Sequence, residues 1–295
     1  MNFGIHLGKG LTWWFPWREP DEGFCWTEDT EKKLKTEIEG IKPTERSGLT
    51  KLKALTIGAC GHGKSALINS IASINAGYKT TVCNAAPSNE TVTRVFRDIE
   101  FDDEFGQCVF GDISGLPLST DIDPFLDDIK LIINGHIKSG YKFDPKKSIS
   151  PENKEYYKET PSISDKIHCA IIVFDSRHWE EIHKSIIRNV KKIMETLHSM
   201  NIPVIAVLTK TDKLSAQVKY NVESIFRCKK TQQAVNKVAE QLAIPAPKVF
   251  PVVNFEERDH FTWRESIPIL LFLRAYLRMA KEHAHHADEV VKKKI

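Results

Sequence analysis

The sequence predicts an α/β fold, a doubly wound and mainly parallel sheet flanked by helices. Three observations predict it. Short apolar, β-prone runs alternate with helix-patterned stretches along most of the chain, as in folds that layer helices on a parallel sheet. One early run feeds a glycine-rich loop that opens a helix. Later runs such as Ile167-His168-Cys169-Ala170-Ile171-Ile172-Val173-Phe174 are almost continuously apolar, as a strand covered on both faces must be.

The glycine-rich stretch reads Gly58-Ala59-Cys60-Gly61-His62-Gly63-Lys64-Ser65 and matches G-x-x-x-x-G-K-[ST], the phosphate-binding P-loop. Ala54-Leu55-Thr56-Ile57 leads in as a strand and Ala66-Leu67-Ile68-Asn69-Ser70-Ile71 leads out as a helix. Gly58 and Gly63 permit close backbone approach, so successive N–H groups can converge on phosphate oxygens, and the helix N-terminus adds partial positive charge. Lys64 is expected to reach the β and γ phosphates, and the Ser65 hydroxyl to sit on a bridging Mg²⁺. Residues Gly58, Ala59, Cys60, Gly61, His62, Gly63, Lys64, Ser65 and Ala66 are thus the candidate nucleotide contacts. Cys60 is expected to crowd the γ-phosphate side and to be alkylatable when the site is empty; the alternative is an inert buried thiol.

Composition narrows the partners. With 41% hydrophobic and 27% charged residues among 295, the chain has the make-up of an ordinary globular protein with room for a sizeable core. Lys and Arg outnumber Asp and Glu only 42 to 39, which gives no case for nucleic acid or a membrane as main partner. The six cysteines form no C-x-x-C pair, against a zinc site or a disulfide scaffold, and reduced thiols in the cytoplasm are expected. No leader and no transmembrane segment are expected either.

In chain order, residues 1–50 are read as an N-terminal aromatic segment and helix that pack on the main domain. Thr12-Trp13-Trp14-Phe15-Pro16-Trp17-Arg18 is expected to fold back on that domain, a contact surface being the alternative. Thr27 then caps a helix through Leu34, Ile38 and Ile41. Residues 51–280 form the main domain, and 281–295 a polar, solvated tail. Beyond the P-loop helix, a polar stretch from about residue 76 to 93 is long enough to be functional. It offers Thr80, Thr81, Thr91 and Thr93 as hydroxyls that could sense a γ-phosphate through Mg²⁺; Thr91 and Thr93 are preferred because they abut the strand 94–101.

A strand at 107–111 ends in Asp112-Ile113-Ser114-Gly115. A carboxylate there is what a Mg²⁺ in the P-loop needs, and Gly115 would bring a backbone N–H to the γ-phosphate. Asp123-Pro124 opens a helix to Ile133, residues 139–166 read as an inserted surface loop, and a long helix is predicted from Trp179 to Met200. The strand 203–208 leads into Thr209-Lys210-Thr211-Asp212. An Asp at that place can accept from N1–H and the exocyclic amine of guanine, which adenine cannot offer, while the Lys stem lies along the ring. Asp212 as a plain helix cap is the alternative. Helical patterns follow at 222–226 and 232–242, then a last strand at 248–253. Asn254 stands where a loop closing over guanine is expected, and a final helix runs from about residue 264 to 279.

These motifs in this order resemble a GTPase, and more closely the interferon-induced protein 44 family. The closeness lies in Asn134-Gly135-His136-Ile137, Gly140-Tyr141-Lys142-Phe143-Asp144-Pro145, Asp165-Lys166-Ile167-His168-Cys169, Leu208-Thr209-Lys210-Thr211-Asp212-Lys213-Leu214 and Val249-Phe250-Pro251-Val252-Val253-Asn254. Pro16-Trp17-Arg18 and Trp26 also look like that family, and the resemblance covers residues 13 to 280. It implies a cytoplasmic guanine-nucleotide-binding protein of innate immune or antiviral response. Some members carry a further upstream domain, which is not expected within the roughly 50 residues before the P-loop. Thr209 departs from the pattern, whose first residue is commonly Asn.

The expected ligands are therefore GTP or GDP with Mg²⁺, with Lys64, Thr91 and Thr93 as catalytic candidates and Ser65, Asp112, Thr91 and Thr93 as metal ligands. After Gly115, Leu116 and Pro117 cannot orient a water, so only weak hydrolysis is expected, on the order of 10⁻⁴ per second for an unassisted site. A nucleotide-stabilised interaction module with an unidentified protein partner or self-association is the alternative. An ATP-using P-loop enzyme is disfavoured by Asp212.

Overall fold

Strand β1 (Leu52–Ile57) is buried at every position because it runs through the interior of the sheet. The computed structural model describes residues 17–19, 24–43, 48–83, 94–113, 115–117, 119, 121–180, 184–255 and 260–292. Its six strands lie in the order β2-β3-β1-β4-β5-β6, with β2 (Phe96–Glu100), β3 (Cys108–Ile113), β4 (Cys169–Asp175), β5 (Val204–Thr209) and β6 (Val249–Pro251). All pairings are parallel except the edge pair β2–β3. The chain leaves β1 towards β2 and β3 on one side and later resumes at β4 on the other. This reversal creates a crevice at the carboxyl end of β1, where open α/β sheets place their ligands.

Alternate residues of each strand feed two cores. Cys169, Ile171 and Val173 of β4 face a layer made by α1 (Glu28–Gly40), α2 (Lys64–Ala76) and the last helix. Ala170, Ile172 and Phe174 face α3 (Asp123–Ile133), α4 (Lys184–Ser199) and α7 (Lys229–Leu242). Two short helices, α5 (Thr211–Leu214) and α6 (Ala216–Tyr220), join β5 to α7, and α8 (Trp263–Lys292) ends the fold. The doubly wound class expected from the alternation is the one observed.

Before β1, the described residues make contacts with the rest of the chain; Trp13 and Trp14 lie outside the described residues. Trp17 and Trp26 both meet Phe226, at 6.1 and 5.9 Å between ring centroids. The Arg18 guanidinium stacks 4.3 Å over Phe250 and donates to the Val249 carbonyl at 2.7 Å. Leu34 and Ile38 of α1 are buried, and Glu37 accepts from Arg274 and Arg278 of α8 at 2.9 and 3.2 Å.

Several expectations are corrected. The polar tail expected from residue 281 is helical as far as Lys292, as α8 continues, and Ala280 and Ala284, four residues apart on one helix face, prolong its buried stripe while His285 and His286 are exposed. The predicted helix from Trp179 is a 3₁₀ turn at Ser176–His178 followed by α4 from Lys184, and residues 222–226 form a 3₁₀ turn capped by Asn221. The strand expected to stop at Gly111 extends to Ile113, which puts Asp112 inside β3. Residues 139–166 are largely irregular but not merely superficial, since Tyr141 and Phe143 are buried beside α3.

Candidate functional site at the carboxyl edge of the sheet

Residues 58–63 join β1 to α2 at the crevice, and two of their glycines are obligatory on local geometry. Gly63 caps α2 with φ 85° and ψ 22°, and a Cβ there would sit 2.9 Å from Thr209 Oγ1. At Gly58 a Cβ would sit 2.5 Å from the Val173 carbonyl oxygen. No side chain caps the first turn of α2 and no acidic residue lies in it. The helix therefore presents its unpaired N–H groups and positive dipole end to whatever enters the loop, which is an anion site.

Three distant segments hold the loop from outside. The Thr209 hydroxyl donates to the His62 carbonyl at 2.7 Å, with the Phe174 carbonyl 3.2 Å away. Lys210 Nζ donates to the Gly61 carbonyl at 2.6 Å and to Asp175 Oδ2 at 2.9 Å. Asn254 Nδ2 donates to the Gly63 carbonyl at 3.2 Å, and the Leu116 amide to the Gly58 carbonyl at 3.2 Å. Thr209 and Asn254 thus brace the loop; the first is wholly buried and neither is placed by these bonds to face a base. His62 Nδ1 lies 3.3 Å from the Val173 carbonyl, and burial pushes this imidazole down to about 4, leaving it neutral near pH 7.

Inside the cradle, the buried Lys64 ammonium donates to the Gly58 and Ala59 carbonyls at 3.0 and 3.2 Å. Burial lowers its pKa, and Asp112 works against that shift. Asp112 stands opposite Thr56 in the parallel pairing, and its Oδ1 is buried without a hydrogen-bond partner. Burial raises the Asp112 pKa while Lys64 and Arg97 oppose it. Ala59 and Ala66 are buried, Ser65 half-buried, and Cys60 and Gly61 exposed, so Cys60 is not an enclosed thiol. Thr91 and Thr93 lie outside the described residues. Thr80 is held by Ser73, nine residues and about 13 Å along α2 from Lys64, so Thr80 and its neighbour Thr81 stand well down that helix.

On the other flank, Lys210 adopts φ 59° as the residue before α5, a conformation uncommon outside glycine. This turn lets its ammonium reach both Gly61 and Asp175. Asp212 is half-buried, does not cap α5, and no described residue hydrogen-bonds its carboxylate. Burial alone would raise the Asp175 pKa, but hydrogen bonds from Arg177 and Lys210 hold it well below the usual carboxylate range. Asp175 is a site residue that sequence reasoning missed; its one signal is a carboxylate ending a fully apolar strand. Arg94 is another, donating from Nε to the Gly115 carbonyl at 3.1 Å. Leu116 turns its side chain into the core beneath. Among the described residues no group of three or more His, Cys, Asp or Glu is placed to hold a metal ion. No described helix is long and apolar enough to cross a membrane.

No family model matches the chain. Among curated proteins, it is 27% identical over 241 residues to "Interferon-induced protein 44-like" of Homo sapiens, covering 79% of this chain and 52% of that one. It is 26% identical over 235 residues to "Interferon-induced protein 44" of Pan troglodytes, covering 78% and 52%. The protein of that name from Mus musculus is 25% identical over 232 residues, covering 78% and 55%. The resemblance read from the motifs is thus matched by curated relatives, and the chain spans about half their length. A solved structure titled "Crystal structure of a probable GTP-binding protein engB" aligns with a TM-score of 0.40 at 18% identity, covering 68% of this chain and 88% of that one.

Proposed function

We propose that this chain binds guanine nucleotides, GTP and GDP, at the loop Gly58–Ser65 and cleaves GTP slowly if at all. The observation that carries the reading is the convergence on one glycine loop of three separate segments, through the bonds of Thr209 and Lys210, of Asn254 and of Leu116. A P-loop that only turned a corner would need none of them. The uncapped α2 terminus and Lys64 suit phosphates, and the free Asp212 carboxylate suits the paired donors of guanine. Ser65 and Asp112 fit a Mg²⁺ ion, because the enclosed Asp112 Oδ1 has no hydrogen-bond partner among the described residues; Thr91 or Thr93 completes this set in the same reading. The ion would neutralise phosphate charge. Lys64 would leave the two loop carbonyls for the phosphates.

Slow cleavage follows from the residue after Gly115. Leu116 is buried in the core and Pro117 has no donor, so neither orients a water. This favours a second reading, a module that nucleotide stabilises for contact with a protein partner or another copy of itself, without turnover. An ATP-using enzyme is the least supported, since Asp212 would not meet on adenine the adjacent pair of donors that guanine offers. The name shared by the relatives supports a place in an interferon response.

Equilibrium binding of GTP, GDP and ATP to the parent chain and to Asp212→Ala tests the reading. Guanine nucleotides are expected to bind more tightly than ATP, and Asp212→Ala to weaken GDP by roughly tenfold or more while leaving ATP unchanged. Equal affinities for GDP and ATP in the parent would overturn guanine recognition. Turnover that rises with protein concentration would favour self-association over an inert module.

A further inference from the structure

Arg94 is a half-buried cation without a counter-charge. Its Nε donates to one neutral acceptor, the Gly115 carbonyl, and no described carboxylate pairs with it. Four of its five N–H groups are left without a partner among the described residues. Burial lowers its pKa, with Cys60 working against that shift.

Its position tells which anion would answer it. Gly115 lies against the crown of the P-loop, where a Cβ would be 3.3 Å from the Cys60 amide nitrogen and 3.5 Å from Cys60 Cβ. The next residue, Leu116, is tied to the Gly58 carbonyl. Arg94 is therefore anchored to the phosphate loop itself, through the segment expected to meet the last phosphate of a triphosphate. A guanidinium can bind phosphate oxygens through two parallel N–H groups, which an ammonium cannot.

We propose that Arg94 reads the terminal phosphate: with GTP bound it gives its free N–H groups to γ-phosphate oxygens, and with GDP it is left on the Gly115 carbonyl. Arg94 thus sets the preference for triphosphate over diphosphate at this site. The proposal rests on the guanine-nucleotide reading above and needs no cleavage.

The test is the affinity of the whole chain for GDP and for a non-hydrolysable GTP analogue, in the parent, Arg94→Ala and Arg94→Lys. Arg94→Ala is expected to weaken the analogue by roughly tenfold or more and to leave GDP within about twofold. Arg94→Lys is expected to recover little of the loss. Retained GDP binding shows at once that the variants are folded. An unchanged ratio of the two affinities, whether both fall or neither does, overturns the proposal. A parent that binds neither nucleotide overturns the nucleotide reading itself, and a parent that binds both but shows no loss in Arg94→Ala overturns only this one.

Discussion

Cys60 stands exposed on the P-loop, whereas Cys83, Cys108, Cys169 and Cys228 are buried and only Cys25 shares its exposure. In a Cys25→Ser background a thiol reagent should therefore label one site on the native chain. Saturating GTP or GDP is expected to slow that labelling, because nucleotide phosphates fill the loop that carries the thiol. Equal labelling rates with and without nucleotide would argue that the ligand sits elsewhere. Thr209 makes a different point. The motif to which it belongs suggests contact with a base, but its buried hydroxyl spends its proton on the His62 carbonyl. Thr209→Val keeps the shape and removes that bond, so it should cost about 1 kcal/mol of stability in urea unfolding and leave the discrimination between GDP and ATP intact. Loss of that discrimination in Thr209→Val would instead give the residue a part in reading the base.

Helix α3 shows how one buried group ties a long irregular segment to the fold. Asp128 is fully buried and accepts from Tyr141 Oη at 2.8 Å, Ser148 Oγ at 2.6 Å and the Ile149 amide at 2.9 Å. Removing the carboxylate strands three donors, all of them on the segment 139–166 that lies between α3 and β4. Asp128→Ala should thus lower stability by about 3 kcal/mol and open that segment to protease before the rest of the chain. Cleavage starting outside 139–166 would count against this role. None of this was legible in the sequence, where 139–166 looks polar and loosely attached, because a carboxylate on a helix gives no sign of partners up to 21 residues away. What was legible is local. Strands β1, β4 and β5 announce themselves as apolar runs, and Gly63 as the glycine before a lysine and a helix. The braces from Asn254 and Lys210, and the pairing of Asp175 with Lys210, are contacts across the sheet edge that no local pattern encodes.

Two buried imidazoles, His62 and His168, make the whole molecule sensitive to mild acid. His62 is held at about 4 by burial, partly offset by the Val173 carbonyl and Asp175, and His168 at about 4 by burial with His283 adding to the effect. In the unfolded chain both titrate near 6.5, so between pH 6.5 and 4 the unfolded state binds protons that the folded state refuses. Stability must fall as pH drops through that window, each histidine contributing at most about 1.4 kcal/mol per pH unit. Asp175, whose pKa is depressed, loses its contribution only below the usual carboxylate value near 4, outside the window. Asp98, Asp112 and Asp128, raised by burial, act in the opposite sense just above that value and blunt the trend. The histidine effect is therefore best isolated by substitution. His168 Nδ1 accepts from the Lys53 amide at 3.0 Å, and Gln can supply an acceptor but no titrating group. His168→Gln is expected to cost about 1 kcal/mol at pH 7 and to flatten the dependence of the urea midpoint on pH between 6.5 and 4. An undiminished slope in that variant would place the acid sensitivity outside His168 and leave His62, within the glycine loop, to account for it.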